Sequence, residues 1–182
     1  MRPVRYNVAA SLDGYIAGPK GEFDWIPEDP AVDFAALFAR VDTVLLGRVS
    51  YQLVLDTGAA PWEADTRVYV FSRTLEPSDH PDVTLVADNA EAVVADLRAE
   101  AGEGEIWLFG GGVLFRSLML AGQVDRVEVT VVPILLGEGI PLLAADRTRL
   151  PLSLSGTHTY PSGMVTLTYL VEAGKENSSW RL

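Results

Sequence analysis

Glu105-Ile106-Trp107-Leu108-Phe109-Gly110-Gly111-Gly112-Val113, continued by Leu114 to Ala121 and closed by Gly122, passes from an apolar run through three glycines into an amphipathic run. The pattern predicts a buried strand over Glu105 to Phe109, then a helix over Val113 to Ala121 with Gly122 past its end. Residues without Cβ let the backbone approach a pyrophosphate closely, and the following helix aims unsatisfied N–H groups at it. The same three glycines also suit a tight strand-to-helix turn, and the stretch alone leaves both uses open.

The same alternation recurs upstream. Tyr6 to Ala10 reads as a first strand, followed by a polar loop from Ser11 to Pro30. Asp29 and Pro30 suit the cap and first position of a helix whose apolar face is Phe34, Leu37, Phe38 and Val41. Thr43 to Leu46 is a buried strand ended by Gly47, and a short helix runs from Ser50 to Leu55. Arg67 to Phe71 and Val83 to Val86 are further strands. Asp88 and Glu91 fit a capping box for a helix with Ala90, Val93, Val94 and Leu97 inside and Gly102 at its end. Downstream the period changes to two. Val127, Val129 and Val131 alternate with polar residues, as do Leu152 and Leu154, and Tyr160-Pro161-Ser162-Gly163 is a turn before Val165 to Val171. The expected fold is therefore α/β, a mostly parallel central sheet covered by helices, with antiparallel strands at its C-terminal edge. Residues 1–173 read as one domain and 174–182 as a polar tail.

The chain has 182 residues, enough to bury a core without staples, and no cysteine, so disulfides and thiolate metal sites are ruled out. Met1 to Tyr6 has no apolar signal core, and no apolar run reaches the ~18 residues of a membrane span. A cytoplasmic protein with no membrane partner is expected. The formal net charge of -11 argues against a nucleic-acid surface, which needs a basic face. His80 and His158 lack ligand spacing, so no metal site is expected. No G-x-S-x-G elbow is present.

An acidic chain must hold any anionic ligand with a few placed groups. In open α/β sheets ligands bind beyond the carboxyl ends of the strands. Gly47-Arg48-Val49-Ser50-Tyr51, Phe71-Ser72-Arg73-Thr74 and Gly110-Gly111-Gly112 occupy three such positions. Either arginine alone suits a solvated surface. Together with the glycines they point to a phosphorylated nucleotide.

With these motifs in view, Ala9-Ala10-Ser11-Leu12-Asp13-Gly14-Tyr15-Ile16-Ala17 resembles the first strand and loop of the bacterial deaminase-reductase C-terminal domain family. Leu46-Gly47-Arg48 with Ser50-Tyr51, Phe71-Ser72-Arg73, Ile106 to Gly112, and Val132 to Leu142 are similar to its later motifs. The family includes the reductase domains of riboflavin biosynthesis and shares the dihydrofolate reductase-like, three-layer α/β/α fold. The resemblance implies NADPH. It implies Arg48 and Arg73 at the 2′-phosphate side with Ser72 assisting, and Gly47, Ser50, Gly110, Gly111, Gly112 and Val113 around the pyrophosphate. It places Ala10, Ile16 and Ala17 beside the nicotinamide, and Val49 where a basic residue is often found.

The implied reaction is hydride transfer to a small heterocycle, pterin-like or ribosylaminopyrimidine-like, related to 5-amino-6-(5-phosphoribosylamino)uracil reduction. Asp13 is the first candidate to orient substrate or assist its protonation, and equally a turn aspartate before Gly14. Dihydrofolate reductases carry one acid on the first helix, shortly after a Trp and a Pro. Here Trp25 and Pro27 precede Glu28, Asp29 and Asp33, with Asp29 taken as the catalytic candidate and Trp25 as a pocket wall. That ambiguity makes dihydrofolate reduction proper the weaker enzymatic alternative. The usual fused zinc deaminase has no counterpart here, so a stand-alone relative with a different substrate is expected. A non-catalytic NADPH-binding or sensing module is the alternative of a different class. A homodimer is expected from the family and from the apolar run Val129 to Leu136.

Overall fold

A computed structural model describes residues 1–58, 60–144 and 149–172. The tail at 174–182 lies outside them. The strands are β1 (Val4–Ser11), β2 (Tyr15–Ala17), β3 (Val41–Gly47), β4 (Arg67–Phe71), β5 (Thr84–Val86), β6 (Glu105–Gly110), β7 (Arg126–Val132), β8 (Ile140–Pro141), β9 (Leu152–Thr159) and β10 (Val165–Val171). The helices are α1 (Phe34–Phe38), α2 (Arg48–Thr57), α3 (Ala90–Ala99) and α4 (Gly112–Leu120). One sheet has the order β5-β4-β3-β6-β1-β7-β10-β9. It is parallel from β5 to β7, and antiparallel where β10 joins β7 and β9. The expected mostly parallel sheet with an antiparallel C-terminal edge is what forms.

Side chains alternate across a strand, and the two faces sort accordingly. Leu45, Ile106, Leu108, Val4 and Tyr6 point to one face, where Val94 and Leu97 of α3 and Leu114, Phe115 and Leu118 of α4 cover them. Tyr6 stacks on Phe115 with ring centroids 3.8 Å apart. Val44, Leu46, Val70 and Trp107 point to the other face, under Tyr51 of α2 and Phe38 of α1. Three layers result because α2 and α4 leave neighbouring strands for opposite faces.

Several local expectations are corrected. Asp33, not Asp29, caps α1, its carboxylate accepting from Ala36 N–H at 2.8 Å. Asp29 instead accepts from Ala31 N–H, so Pro30 stands in a turn and the helix starts later and spans one turn only. The Asp88–Glu91 capping box does not form. Asn89 sits at the cap in a left-handed conformation with no side-chain bond, and Asp88 faces Arg73. Glu100, not Gly102, ends α3. Helix α2 begins two residues early, directly at Arg48. In the run Val129 to Leu136, Val129 and Val132 are buried where β7 lies between β1 and β10, while Pro133 and Leu135 beyond the strand are exposed.

Candidate active site at the carboxyl edge

After β3 the chain moves outward to β4. After β6 it moves the other way, past β1, to β7. The crevice between β3 and β6 is therefore the point where strand order reverses, the position at which open α/β sheets take ligands. Both bordering strands run straight into helices, α2 capped by Gly47 and α4 capped by Gly111, neither with a side-chain cap bond. Two helix N-termini thus open side by side, each with N–H groups and a partial positive charge directed to the same edge.

The glycines there are required by space as well as conformation. Gly111 has φ +107°, and a Cβ on it would stand 3.3 Å from Gly47 Cα and 3.4 Å from Gly47 N. A Cβ on Gly110 would meet Ser50 Oγ at 3.0 Å, and one on Gly112 would meet Pro141 O at 3.2 Å. Val113 is 77% exposed at the first turn of α4, and Val49 is exposed at that of α2. The structure brings Gly47, Arg48, Ser50, Gly110, Gly111, Gly112 and Val113 together at the carboxyl edge. A dinucleotide's pyrophosphate suits this arrangement, because the glycines let the two strand ends and helix N-termini approach closely and the helix ends present donors.

Next along the edge, Gly47 pairs with Phe71, so Arg48 and Ser72 leave adjacent strands together. Ser72 is buried and its Oγ accepts from Thr74 N–H and Leu75 N–H, both at 3.2 Å, which shapes the turn that presents Arg73. Arg73 Nε lies 3.2 Å from Asp88 Oδ1, with side chains 80% and 69% exposed. So exposed a pair contributes little and leaves Arg73 able to exchange its partner. Arg48 is exposed.

At the β1 end, Ala10 and Ser11 are buried, Ala17 is nearly so, and Ile16 is half-buried. Ser11 Oγ donates to Asp13 Oδ1 at 2.6 Å and accepts from Tyr15 N–H at 3.0 Å. Asp13 also accepts from Leu136 N–H at 3.1 Å and Gly137 N–H at 2.7 Å. The Ser11 hydroxyl first, then the Gly137 N–H, pull its carboxyl down to about 2. Asp13 is a tether between two loops. The tether is extended by β2, which pairs with β8, and by Leu142 N–H donating to Gly14 O. Gly139 makes that pairing possible, since a Cβ on it would lie within bonding distance of Ala17 O. The residues 132–142 quoted from the sequence thus close over the β1 loop.

Asp29 is buried and accepts from Ser162 N–H at 3.1 Å besides Ala31 N–H at 2.8 Å. The Ser162 contacts first, then Ala31 N–H, hold its carboxyl below the usual carboxylate range. It joins the 18–33 loop to the β9–β10 turn. Trp25 is half-buried and folds back on its own loop through Nε1–H to Glu22 O at 3.1 Å.

A polar group that the sequence reading missed lies under α1. Arg5, Glu105 and Glu128 are buried. Arg5 Nη2 donates to Leu37 O at 2.6 Å, and its other nitrogens lie 3.5 Å from Glu105 and 3.7 Å from Glu128. Asn7 Nδ2 donates to Glu128 Oε2 at 2.7 Å. Arg5 and Asn7 alternate with Val4, Tyr6 and Val8, and that alternation was the available signal. A separate apolar cavity of about 520 Å³ lies between the ends of β1, β7 and β10 and residues Leu142, Leu150 and Pro151. It touches Ala10 and Ser11 but has no donors suited to a phosphate. Among the described residues no group of three or more His, Asp or Glu could hold a metal ion, and no helix is long and apolar enough to cross a membrane.

Comparison with known proteins agrees with this fold. The uncharacterised protein YyaP of Bacillus subtilis (strain 168) is 34% identical over 179 residues, covering 92% of this chain and 94% of its own. A crystal structure from Shewanella sp. PV-4, provisionally assigned to riboflavin biosynthesis, has 30% identity and a TM-score of 0.80 over 94% of this chain and 99% of its own. Dihydrofolate reductase from Enterococcus faecalis, solved with NADP(H) and RAB-propyl, shares the fold at 17% identity, with a TM-score of 0.66 over 93% of this chain and 96% of its own. The model of the RibD C-terminal domain matches residues 2–166, and the chain belongs to that family.

Proposed function

We propose that the protein is a cytoplasmic NADPH-dependent reductase that transfers hydride to a small heterocyclic substrate. The observation that carries this reading is the pair of glycine-capped helix N-termini at the β3/β6 crevice, flanked by Arg48 and Arg73 in a chain of net charge -11. The family and the NADP(H) held by the enterococcal relative of the same fold support it.

In this reading the N–H groups around Gly111, Gly112 and Val113, with Gly47, Gly110 and the Ser50 hydroxyl, hold the pyrophosphate. Arg48 and Arg73 bind the 2′-phosphate side, with Ser72 shaping the turn that carries Arg73. Ala10, Ile16 and Ala17 border the nicotinamide, where small side chains leave room for a ring. When bound, the cofactor supplies a hydride to a C=N or C=O carbon. The protein's part is placement and exclusion of water. Asp13 positions the β1 loop by holding Leu136 and Gly137, and Asp29 does the same for the 18–33 loop. Hydrogen bonds hold both carboxyls below the usual carboxylate range, so in this reading water at the carboxyl edge, and not either acid, supplies the proton to the neighbouring heteroatom.

Titration of tryptophan fluorescence with NADPH and NADH tests the reading. Micromolar NADPH affinity with NADH at least about tenfold weaker is expected from a charge-assisted phosphate contact worth ~1.4 kcal/mol or more. Arg48→Ala with Arg73→Ala should abolish the preference. Binding of neither nucleotide would reject the reading. The hydrogen bonds that hold both candidate acids below the usual carboxylate range favour one second reading, an NADPH-binding module without turnover. Tight cofactor binding with no turnover across pterins, ribosylaminopyrimidines and quinones would support it.

A further inference from the structure

The strand-end arginines and the longest acidic stretch of the carboxyl edge lie apart. At the β3/β4 end Arg48 and Arg73 leave the strands, with Asp88 paired to Arg73. At the β1 end, residues 11–34 carry Asp13, Glu22, Asp24, Glu28, Asp29 and Asp33 against Lys20 alone.

The fold fastens this acidic stretch through Asp13 and Asp29 to the carboxyl edge beside β1 and β10, the mouth of the site on its β1 side. β10 runs antiparallel to β7 with Val165 opposite Val131, so the 160–163 turn that precedes it lies at the carboxyl edge. Asp29 is fastened to that turn through Ser162 N–H. From there the chain descends as α1 toward the amino edge, where Arg5 holds Leu37 O and β3 begins. Phe34, the first residue of α1, is therefore the part of the helix nearest the mouth, and it is 60% exposed. Its ring lies 6.1 Å from that of Phe38, nearly parallel at 23°. Phe38 in turn stacks at 4.5 Å on the buried Trp107. A column of rings thus rises from the core and ends in an open aromatic face.

An open ring offers a stacking surface to another planar ring. A field of one sign at a cleft concentrates oppositely charged ligands there, leaves neutral ones unopposed and disfavours like-charged ones. Resting on the reductase reading, we propose that the compound reduced is a planar heterocycle without a phosphate or other anionic substituent, stacked against Phe34. A ribosylaminopyrimidine 5′-phosphate would bring a dianion to a rim of the same sign, while the arginines of the edge stand at the cofactor end.

The test is calorimetric binding to the NADP⁺-saturated protein, which needs no turnover. The ligands are a ribosylaminopyrimidine and its 5′-phosphate. At about 0.01 M salt, where screening is weak, the compound without phosphate should bind at least about tenfold more tightly, and the gap should close near 1 M. Asp24→Asn with Glu28→Gln should narrow the gap at low salt. Phe34→Ala should weaken the unphosphorylated ligand while leaving NADP⁺ affinity unchanged. Equal or tighter binding of the 5′-phosphate, a gap indifferent to the double variant, or binding of neither pyrimidine by an NADP⁺-loaded protein would each overturn the proposal and leave the reductase reading standing. Failure of NADP⁺ itself to bind would overturn both.

Discussion

Replacing Gly111 by Ala tests the crevice directly. Two effects add. The backbone there has φ +107° and ψ 97°, outside the left-handed helical basin, and holding an alanine in such a region costs about 1–3 kcal/mol. The new Cβ would also stand 3.3 Å from Gly47 Cα and 3.4 Å from Gly47 N. Those are backbone atoms, which cannot rotate aside, so β3 and β6 must separate slightly, an overpacking cost of about 1–3 kcal/mol. Gly58→Ala supplies the control. Gly58 also has positive φ, +67°, but nothing lies within 4 Å of its Cβ position, so only the conformational cost of about 1–2 kcal/mol applies. In a chain of this size each kcal/mol moves Tm by about 2–4 °C. Scanning calorimetry should therefore show Gly111→Ala melting at least about 2–4 °C below Gly58→Ala. NADPH titration should show weakened binding for the first variant only. Equal melting temperatures would refute the claim that the two strand ends are pressed together. A destabilised Gly111→Ala protein with unchanged NADPH affinity would refute the placement of the pyrophosphate.

Three further outcomes are expected. Asp13 has a folded carboxyl near 2, below the unfolded value of about 4, so its contribution is complete above about pH 4 and is lost as pH falls through the folded value. The Tm difference between the wild-type protein and Asp13→Asn should stay level from about pH 5 to 8 and shrink below about pH 4; a difference that grows on acidification would contradict the tether. Arg5→Met leaves Glu105 and Glu128 buried beside fewer partners and frees the end of α1, which should destabilise by about 3 kcal/mol in urea unfolding, and a loss under about 1 kcal/mol would contradict it. The homodimer is proposed to form through β9, an eight-residue edge strand without a charged residue and with Leu152 and Leu154 exposed, features that leave an edge open to pairing. Light scattering should give about twice 19.7 kDa at micromolar concentration, and Leu154→Lys should return it to one chain mass.

What the amino-acid sequence determined by itself was local. A strand, three glycines and a helix follow one another in residues 105–122, and the alternation of Val127, Val129 and Val131 is visible wherever the strand is placed. Such patterns reflect the chain's own period and its own turn residues, so they need no knowledge of neighbours. From them came the layered α/β class, the C-terminal antiparallel strands, and the glycines and arginines of the carboxyl edge.

The tertiary structure decided what depends on distant residues. Asp29 suits the cap of the first helix by local pattern, yet the cap falls to Asp33, because Ser162, far along the chain, takes up the carboxylate of Asp29. Asp13 reads as a turn residue or an acid. Its lowered carboxyl owes most to the Ser11 hydroxyl nearby in sequence, and then to the N–H groups of Gly137 and Leu136 delivered by the β2–β8 pairing. The need for glycine at 139 arises only where Ala17 O approaches it. Gly47 and Gly111 become one cradle only once β6 is inserted beside β3. A carboxyl's protonation and a glycine's indispensability are properties of surroundings, and the sheet order that assembles those surroundings is set by long-range pairing that no local period encodes.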